Sequence, residues 1–397
     1  MLEAFDSVYR RTQDIASFAE KLGEEYADEA DFELSALDDT TSDATVVKLL
    51  HSIFEDAVQV RASDIHIEPD EKILRIRQRV DGVLQENTLN QVKIASALVL
   101  RLKLMSGLDI SEKRIPQDGR FNIKVKGHVL DVRVSTMPVA NGEAVVMRLL
   151  DQSAGLLTLD QTGMPDAMAE KFRAAINRPH GMILVTGPTG SGKTTTLYGA
   201  LSELNKPDLK IPDIIMVGEM RDQETVEIGL RGALTGHLVL STLHTNDAVT
   251  SAIRLIDMGA APYLVATSLR GVLAQRLVRR VCENCKQEKA PSAQEQAWVG
   301  FLKPELTNAS FYKGRGCNSC NHTGYKGRIG VFEFLEMNED MMEALRDDNT
   351  QGFVDATKAN KDFVPLSHMA LDYAAEGKTS LDEVFKVAEF VPEVVNH

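Results

Sequence analysis

Uninterrupted apolar runs in the second half of the chain alternate with segments in which apolar residues recur at helical intervals. Residues 182–185, 214–217 and 238–240 are such runs. Short apolar runs are typical of parallel strands that are buried on both faces. Between them, apolar residues recur every three or four positions, as in 197–204 and 223–234. The alternation predicts an α/β core with a parallel sheet.

Helical spacing continues beyond this core. It predicts one helix that begins after Asn246 and ends at Gly259, and another over 263–276. A turn and a strand are predicted in 324–333, and a mostly helical region over 337–397.

Alternating apolar and polar residues in the first half of the chain predict two hairpins. Residues 73–80 alternate apolar side chains with arginines, and Asp81-Gly82 follows as a two-residue turn. A second pair of strands, 121–125 and 129–135, is predicted to turn at Lys126-Gly127.

Helical periodicity accompanies these hairpins. Helices are predicted over 1–26, over 45–60 behind a cap at Asp43, and over 92–106, and the acidic stretch 27–43 is predicted to be a solvated linker. The hairpins and the last two helices predict a small α+β domain. The proposed boundaries are 1–43 (first helix and linker, a remnant of a larger domain or a docking arm), 44–152 (α+β domain), 153–165 (linker), 166–280 (α/β core), 281–330 (cysteine module) and 331–397 (helical region).

Composition and charge narrow the functional classes. The 397 residues carry a formal net charge of −14 at pH 7, so the chain is expected to bind nucleic acid poorly. No apolar run approaches the length of a membrane span, and the N-terminus lacks the layout of a signal peptide. We therefore expect a cytoplasmic protein that reaches a membrane only through partners.

The segment Gly187–Thr194 fits the phosphate-binding pattern G-x-x-x-x-G-K-[ST]. It lies between a predicted strand and a predicted helix, the context that supports the motif. Small residues allow backbone N–H groups to surround an anion, Lys193 can reach the outer phosphates of ATP, and the Thr194 hydroxyl can ligate Mg²⁺. The candidate nucleotide-binding residues are Gly187, Pro188, Thr189, Gly190, Ser191, Gly192, Lys193, Thr194 and Thr195. The alternative is a glycine-rich turn that binds nothing.

Candidate catalytic residues follow the next two predicted strands. Glu219 comes after 214–217, where a carboxylate could orient water or hold the water shell of Mg²⁺; alternatively, it simply pairs with Arg221. His237 and His244 flank the strand 238–243, so they cannot share one role. His244 is predicted to lie beside Glu219 and to sense the γ-phosphate. A histidine at a strand end can also be a solvated or capping residue.

Four cysteines form two Cys-x-x-Cys pairs separated by 31 residues. In a chain expected to be cytoplasmic, this spacing favours metal binding over disulfides. Four thiolates close a tetrahedral site, so we predict a structural Zn²⁺ ion without a catalytic role. The predicted ligands are Cys282, Cys285, Cys317 and Cys320. Reduced thiols without metal are the alternative.

Several arginines lie in or beside the second predicted hairpin. Each could belong to a solvated sheet face. Alternatively, several could point across a subunit boundary at a neighbour's triphosphate, where an arginine stabilises transition-state charge. These residues are Arg114, Arg120, Arg133 and Arg148.

Four further segments, together with the phosphate loop and the cysteine pairs, resemble the ATPase family that drives type II secretion and assembles type IV pili. The segments are 62–69, 114–120, 212–222 and 235–248. The cysteine module resembles assembly or secretion members rather than the pilus-retraction branch. The first helix is most similar to that of mannose-sensitive pilus or type II secretion ATPases.

This resemblance implies a homohexameric ring in the cytoplasm, peripheral to the inner membrane. Each subunit would have a RecA-like core preceded by a small PAS-like domain. ATP hydrolysis would act on an inner-membrane platform protein, with a cytoplasmic docking protein as a second partner and no direct contact with nucleic acid. The family's Walker B motif maps onto Ile214–Glu219 and its histidine motif onto His237 and His244. Arg133, Arg148 and Arg328 would contact phosphate or ribose.

The chain departs from the family pattern between Lys210 and Ile211. Roughly forty further residues are expected there, more than an ordinary loop would need. By resemblance, that stretch carries a strand of the core, several arginines and a second acidic residue that acts on the attacking water. We expect that the sequence omits these residues; a measured mass near 43.7 kDa would contradict this. A true deletion would impair hydrolysis and retain some nucleotide binding.

Two other functions stay open at this stage. One is a DNA-uptake or nucleic-acid translocase of the same superfamily, against which the net charge weighs. The other is a ring scaffold that binds nucleotide and hydrolyses it weakly, which the missing acidic stretch would favour.

Overall fold

The computed structural model describes residues 12–25, 40–152, 155, 157–205 and 214–388. The chain divides into two compact units, Met1–Gly155 and Leu156–His397. Most of the predicted acidic linker, the first residues of the predicted first helix and the end of the helical region lie outside the described residues. Within the described ranges, no helix combines the length and apolar character that crossing a membrane requires.

The described residues of the first unit form three helices and six strands. The helices are α1 (Thr12–Glu25), α2 (Thr40–Val60) and α3 (Ile94–Ser106), and the strands are β1 (Ala62–Pro69), β2 (Leu74–Val80), β3 (Val83–Leu89), β4 (Gln117–Val125), β5 (His128–Val139) and β6 (Gly142–Asp151).

All six strands form one sheet in the order β3-β2-β1-β6-β5-β4, with antiparallel pairing between neighbours. Both predicted hairpins are confirmed, with turns at Asp81-Gly82 and Lys126-Gly127. The alternation in β2 places Leu74, Ile76 and Val80 on the buried face. The central strands β1 and β6 had not been predicted. Helix α2 begins at Thr40, so the expectation that Asp43 caps it was wrong.

The second unit contains the phosphate-loop motif. Its helices are α4 (Asp166–Ile176), α5 (Lys193–Leu204), α6 (Gln223–Leu234), α7 (Ala248–Asp257), α8 (Pro262–Ser268), α9 (Ala293–Leu302), α10 (Glu339–Arg346), α11 (Thr350–Ala359), α12 (Leu366–Ala375) and α13 (Leu381–Val387). Its strands are β7 (Gly181–Thr186), β8 (Ile214–Val217), β9 (Leu238–Leu243), β10 (Leu269–Val281), β11 (Lys286–Glu288), β12 (Tyr312–Gly314) and β13 (Tyr325–Glu336).

A five-stranded sheet with the order β13-β10-β7-β9-β8 organises this unit. Strands β10, β7, β9 and β8 are parallel, and β13 is antiparallel to β10. The helix predicted over 263–276 was wrong, because α8 ends at Ser268 and the chain continues as β10. Apolar residues at 269 and 272–274 also fit a helix, but here they are buried between the partner strands β7 and β13.

Two features of this sheet differ from the sequence-based expectation. Strand β8 was predicted to be buried, yet it lies at the sheet edge and the Met216 side chain is 38% exposed. The cysteine-containing segment is inserted between β10 and β13, which pair along most of their length. The proposed boundaries at 280 and 330 therefore fall inside core strands.

Candidate functional site

The phosphate loop connects β7 to α5, and its first and last glycines have positive φ angles of 145° at Gly187 and 92° at Gly192. A Cβ atom at Gly187 would lie 2.3 Å from the backbone oxygen of Gln275, and one at Gly192 would lie 2.6 Å from the Gln275 side-chain nitrogen. At Gly187 both the conformation and the approach of the backbone therefore require glycine, and at Gly192 the positive φ angle favours it.

Lys193 begins α5 and folds back over the loop. Its Nζ atom donates hydrogen bonds to the carbonyl oxygens of Gly187, at 2.7 Å, and Pro188, at 3.1 Å. Burial lowers the pKa of Lys193, although the nearby Glu219 carboxylate opposes this effect. A bound anion would offset the cost of burying this charge, so the lysine suits a phosphate group.

The hydroxyl groups of the loop also fit a nucleotide. The Ser191 side chain is buried, and its Oγ atom has no hydrogen-bond partner among the residues that the structure describes. A buried hydroxyl without a partner suits a ligand atom. Thr194 and Thr195 are exposed in the first turn of α5. The Thr194 hydroxyl is therefore accessible to a Mg²⁺ ion, which would neutralise phosphate charge when bound.

Glu219 lies just beyond β8 and contacts two basic side chains. Its Oε1 atom is 2.9 Å from Nε2 of His244, and its Oε2 atom accepts a hydrogen bond of 2.7 Å from Nη2 of Arg221. The Arg221 hydrogen bond, and then the nearby His244 and Lys193, hold the pKa of Glu219 below its ordinary value. Glu219 is therefore a carboxylate at neutral pH, beside the predicted histidine.

His237 lies at the other end of β9. Because β9 is parallel to β7, His237 is near the start of the strand that leads to the phosphate loop. Six strand residues span about 20 Å, which separates His237 from the His244 end. Its Nδ1 atom is 3.2 Å from both the Gly232 carbonyl oxygen and the Thr235 hydroxyl. The structure therefore does not bring His237 to the cluster formed by Glu219 and His244.

Two neighbouring residues of β10 complete the surroundings of the loop and had not been singled out. The Gln275 Oε1 atom accepts a hydrogen bond of 2.7 Å from Thr196 of α5. The Arg276 guanidinium donates to the backbone and side-chain oxygens of Asn246, just after His244, and its charge lowers the pKa of Lys193. The mistaken helix over 263–276 had concealed both, since only a strand places them beside β7.

Four arginines of the first unit lie in one row across five strands. Cross-strand pairing aligns Arg120, Arg133, Arg148, Asp64 and Arg79 in that order. Asp64 lies 3.5 Å from Arg148 and 3.3 Å from Arg79. The Arg133 side chain has no ion pair or hydrogen bond to any other described residue. Like charges opposite one another are unfavourable, so this row suits an anion.

Part of this row lines an open groove of about 660 Å³. Arg120, Arg133 and Arg148 contribute to its wall, together with Asp64 and Asp118. The fourth predicted arginine, Arg114, is exposed and pairs with Glu112. The groove therefore gathers three of the four arginines that the sequence indicated near the second hairpin.

Arg328 lies elsewhere, on β13 in the second unit. It is exposed and pairs in register with Arg279 of β10. In the same register Phe332, four residues further along β13, faces Gln275 beside the phosphate loop. Four strand residues span about 13 Å, so Arg328 lies towards the cysteine end of the sheet.

The four cysteine sulfur atoms lie within 4.8 Å of one another. Three Sγ–Sγ distances are 3.9 Å (Cys282–Cys317), 3.8 Å (Cys285–Cys320) and 3.7 Å (Cys317–Cys320). These separations exclude disulfides and match the roughly 3.8 Å expected between thiolates that are each about 2.3 Å from one tetrahedral zinc ion. The donor set fits Zn²⁺.

Backbone groups also favour thiolate at this cluster. Burial would raise the pKa of Cys320, but hydrogen bonds from the backbone N–H groups of Cys317 and Gly324 lower it to about 7. Burial raises the pKa of Cys282 to about 12. A metal ion would offset this cost by binding the deprotonated sulfur.

Comparison with known proteins gives consistent matches. The family model described as "Type II/IV secretion system protein" matches residues 39–211 and 210–386. The chain is 41% identical over 420 residues to type II secretion system protein E of Aeromonas hydrophila, covering 94% of this chain and 83% of that protein. It is 43% identical over 383 residues to type IV pilus assembly ATPase PilB of Myxococcus xanthus, with coverages of 86% and 68%.

A solved structure shares the fold at lower sequence identity. The Legionella pneumophila ATPase DotB superposes with a TM-score of 0.60 at 19% identity, covering 85% of this chain and 94% of that one. This likeness supports an α/β fold shared with a known ATPase.

The comparisons also bear on the junction at Lys210 and Ile211. The two segments of the family match meet at residues 210 and 211. Since 94% of 397 residues is about 373, the 420 aligned positions with the Aeromonas protein include about 47 without a counterpart here. The relative thus carries additional residues, in keeping with the expected stretch of roughly forty. With matches over this share of its length, the chain belongs to the type II/IV secretion system protein family.

Proposed function

We propose that this protein is a motor ATPase that hydrolyses ATP to ADP and phosphate to drive type II secretion or type IV pilus assembly. The observation that carries the proposal is the meeting of three groups beside the phosphate loop: Lys193, Glu219 and His244. The curated relatives supply the biological setting, since they are a type II secretion protein and a pilus assembly ATPase.

Each group has a role that its position supports. The backbone N–H groups of the loop and the Lys193 side chain bind the phosphates. The loop connects β7 to α5 in what we propose is a RecA-like core. The Glu219 carboxylate orients the attacking water, while Arg221 contacts one of its oxygens and His244 the other, which fixes the orientation of the group. His244 lies at the end of β9, where it can respond to loss of the γ-phosphate. Mg²⁺ on Thr194 would supply charge neutralisation.

We further propose that the site is completed by a neighbouring subunit in a homohexameric ring. The row with Arg133 and Arg148 would bind an anion, because its four arginines face two carboxylates: Asp64 contacts Arg148 and Arg79, and Asp131 contacts Arg120. Contacts between these arginines and the triphosphate bound to a neighbouring subunit would explain the concentration of positive charge. Arg328 is proposed as a further phosphate or ribose contact. The ring would act on an inner-membrane platform protein and dock through a cytoplasmic partner, so that it reaches the membrane only through them.

Mixing two inactive variants tests the contribution in trans. Arg133→Ala and Glu219→Gln are each expected to retain no more than about 1% of ATP turnover, because an arginine supplied in trans is worth about 10³-fold or more. Equimolar mixed rings should recover activity at about a quarter of their sites, where an intact Glu219 meets an intact Arg133. The readout is steady-state phosphate release after subunit exchange.

Arg75→Ala is the matched control, since Arg75 pairs with Asp70 outside the row. It should leave turnover unchanged. Mixtures no more active than either variant alone would show that Arg133 does not act across a subunit boundary.

A second candidate is a nucleotide-binding ring that hydrolyses ATP weakly. The observation in its favour is the group of about 47 positions that the Aeromonas relative has and this chain lacks. The exposed edge strand β8 agrees with a missing neighbour on that side. Phosphate release by the intact protein separates this candidate from the first.

A further inference from the structure

Thr242, a buried residue near the end of β9, bonds to the backbone on both sides of Glu219. Its hydroxyl donates a hydrogen bond of 2.8 Å to the carbonyl oxygen of Gly218. Its own carbonyl oxygen accepts one of 3.0 Å from the N–H group of Met220. One residue therefore holds both peptide groups that flank Glu219.

This attachment matters because Glu219 lies beyond regular structure. Strand β8 ends at Val217, and among the described residues it is an edge strand that pairs with β9. The parallel pairing recorded between β8 and β9 reaches Val217 opposite Ser241 and stops there. Beyond Val217, the two hydrogen bonds of Thr242 connect β9 to the turn that contains Glu219.

The same strand also carries the histidine that contacts Glu219. His244 follows Thr242 by two residues, and its Nε2 atom is 2.9 Å from Glu219 Oε1. A shift of the Glu219 turn away from β9 would lengthen this contact. Backbone bonds at Thr242 and the side-chain contact at His244 therefore fix the carboxylate from two points on one strand.

We infer that Thr242 is a positioning residue that holds the Glu219 carboxylate in place for ATP hydrolysis. The inference rests on the proposed function, in which Glu219 orients the attacking water. Thr242 itself touches no reacting atom. It acts through the backbone of 218–220, so its hydroxyl should affect the rate of the chemical step more than the binding of ATP.

Valine and serine substitutions separate the hydroxyl from the bulk of the side chain. Thr242→Val keeps the shape and removes the donor; it should lower kcat by about tenfold or more, with KM for ATP within about twofold. Thr242→Ser keeps the donor and should retain kcat within about threefold. Both should unfold within a few degrees of the unchanged protein. If Thr242→Val does not fold, Thr242→Ala carries the same prediction for kcat.

Controls make each outcome decisive. Thr250→Val removes an exposed hydroxyl in α7 and should change neither kcat nor KM. An unchanged kcat in Thr242→Val would overturn the inference, and so would a loss of kcat in Thr242→Ser equal to that in Thr242→Val. A fall in kcat that is fully explained by a lower unfolding temperature would overturn it as well. Glu219→Gln, measured in parallel, distinguishes failure of this inference from failure of the proposed function. If Glu219→Gln is inactive while Thr242→Val is fully active, only the inference about Thr242 fails. If Glu219→Gln is fully active, the proposed function fails together with the inference.

Discussion

Replacing Glu219 with glutamine is expected to reduce ATP turnover by about two to four orders of magnitude while ATP affinity stays within a few fold. The substitution keeps the size and hydrogen-bonding capacity of the side chain but removes its negative charge. In the structure, that charge lies beside His244 and close enough to Lys193 to affect its pKa. A neutral amide cannot polarise the attacking water in the same way.

Turnover is measured as steady-state phosphate release, and affinity as binding of a fluorescent ATP analogue. Glu227→Gln is the matched control, because Glu227 is a carboxylate in α6 that pairs with Arg231. It should behave as the unchanged protein does. Full turnover in Glu219→Gln would show that Glu219 has no catalytic role. Loss of binding of the ATP analogue would show that Glu219 acts in nucleotide binding instead.

We predict that the cysteine module holds a zinc ion, and that removing this ion unfolds the segment between β10 and β13. Its small sheet consists of β11 and β12, with three residues each, too little to be stable alone. Among the backbone bonds that tie it together are those from Cys282 N–H to Gly324 O and from Arg315 N–H to Cys285 O. Structural zinc contributes an apparent free energy on the order of 10 kcal/mol to such modules.

The measurements are elemental analysis and limited proteolysis. Gently purified protein should contain one zinc ion per chain, and Cys320→Ser should contain far less and be cleaved between 282 and 324. Ser319→Ala is the matched control, because Ser319 is next to the predicted ligand Cys320 while its hydroxyl accepts a hydrogen bond from Lys326 Nζ. A metal content near zero in protein that resists proteolysis would rule out a zinc site.

Local sequence patterns were sufficient where a feature depends on neighbours along the chain. The hairpins at Asp81-Gly82 and Lys126-Gly127 follow from alternation and turn chemistry. The phosphate loop follows from glycine spacing between a strand and a helix. The contact between Glu219 and His244 could be anticipated because parallel strands end at the same edge of a sheet.

Features that depend on strand order were not accessible in this way. Residues 269–276 were predicted to be helical from their apolar spacing, and only burial between β7 and β13 makes them part of a strand. The contacts of Gln275 and Thr242 depend on the order of strands in the sheet, which places β10 next to β7 and β9 next to β8. The alignment of Arg120, Arg133 and Arg148 in one row likewise depends on the register between strands, which sequence spacing does not determine.

Phosphate release by the purified protein, after its intact mass has been measured, tests the proposed ATPase activity most directly. We predict Mg²⁺-dependent ATP hydrolysis that exceeds that of Lys193→Ala by about 100-fold or more, because in the proposed function this lysine binds the phosphates. The mass shows whether the measured protein contains the residues expected between Lys210 and Ile211. Nucleotide binding with phosphate release no faster than in Lys193→Ala would contradict the motor ATPase and favour the nucleotide-binding ring.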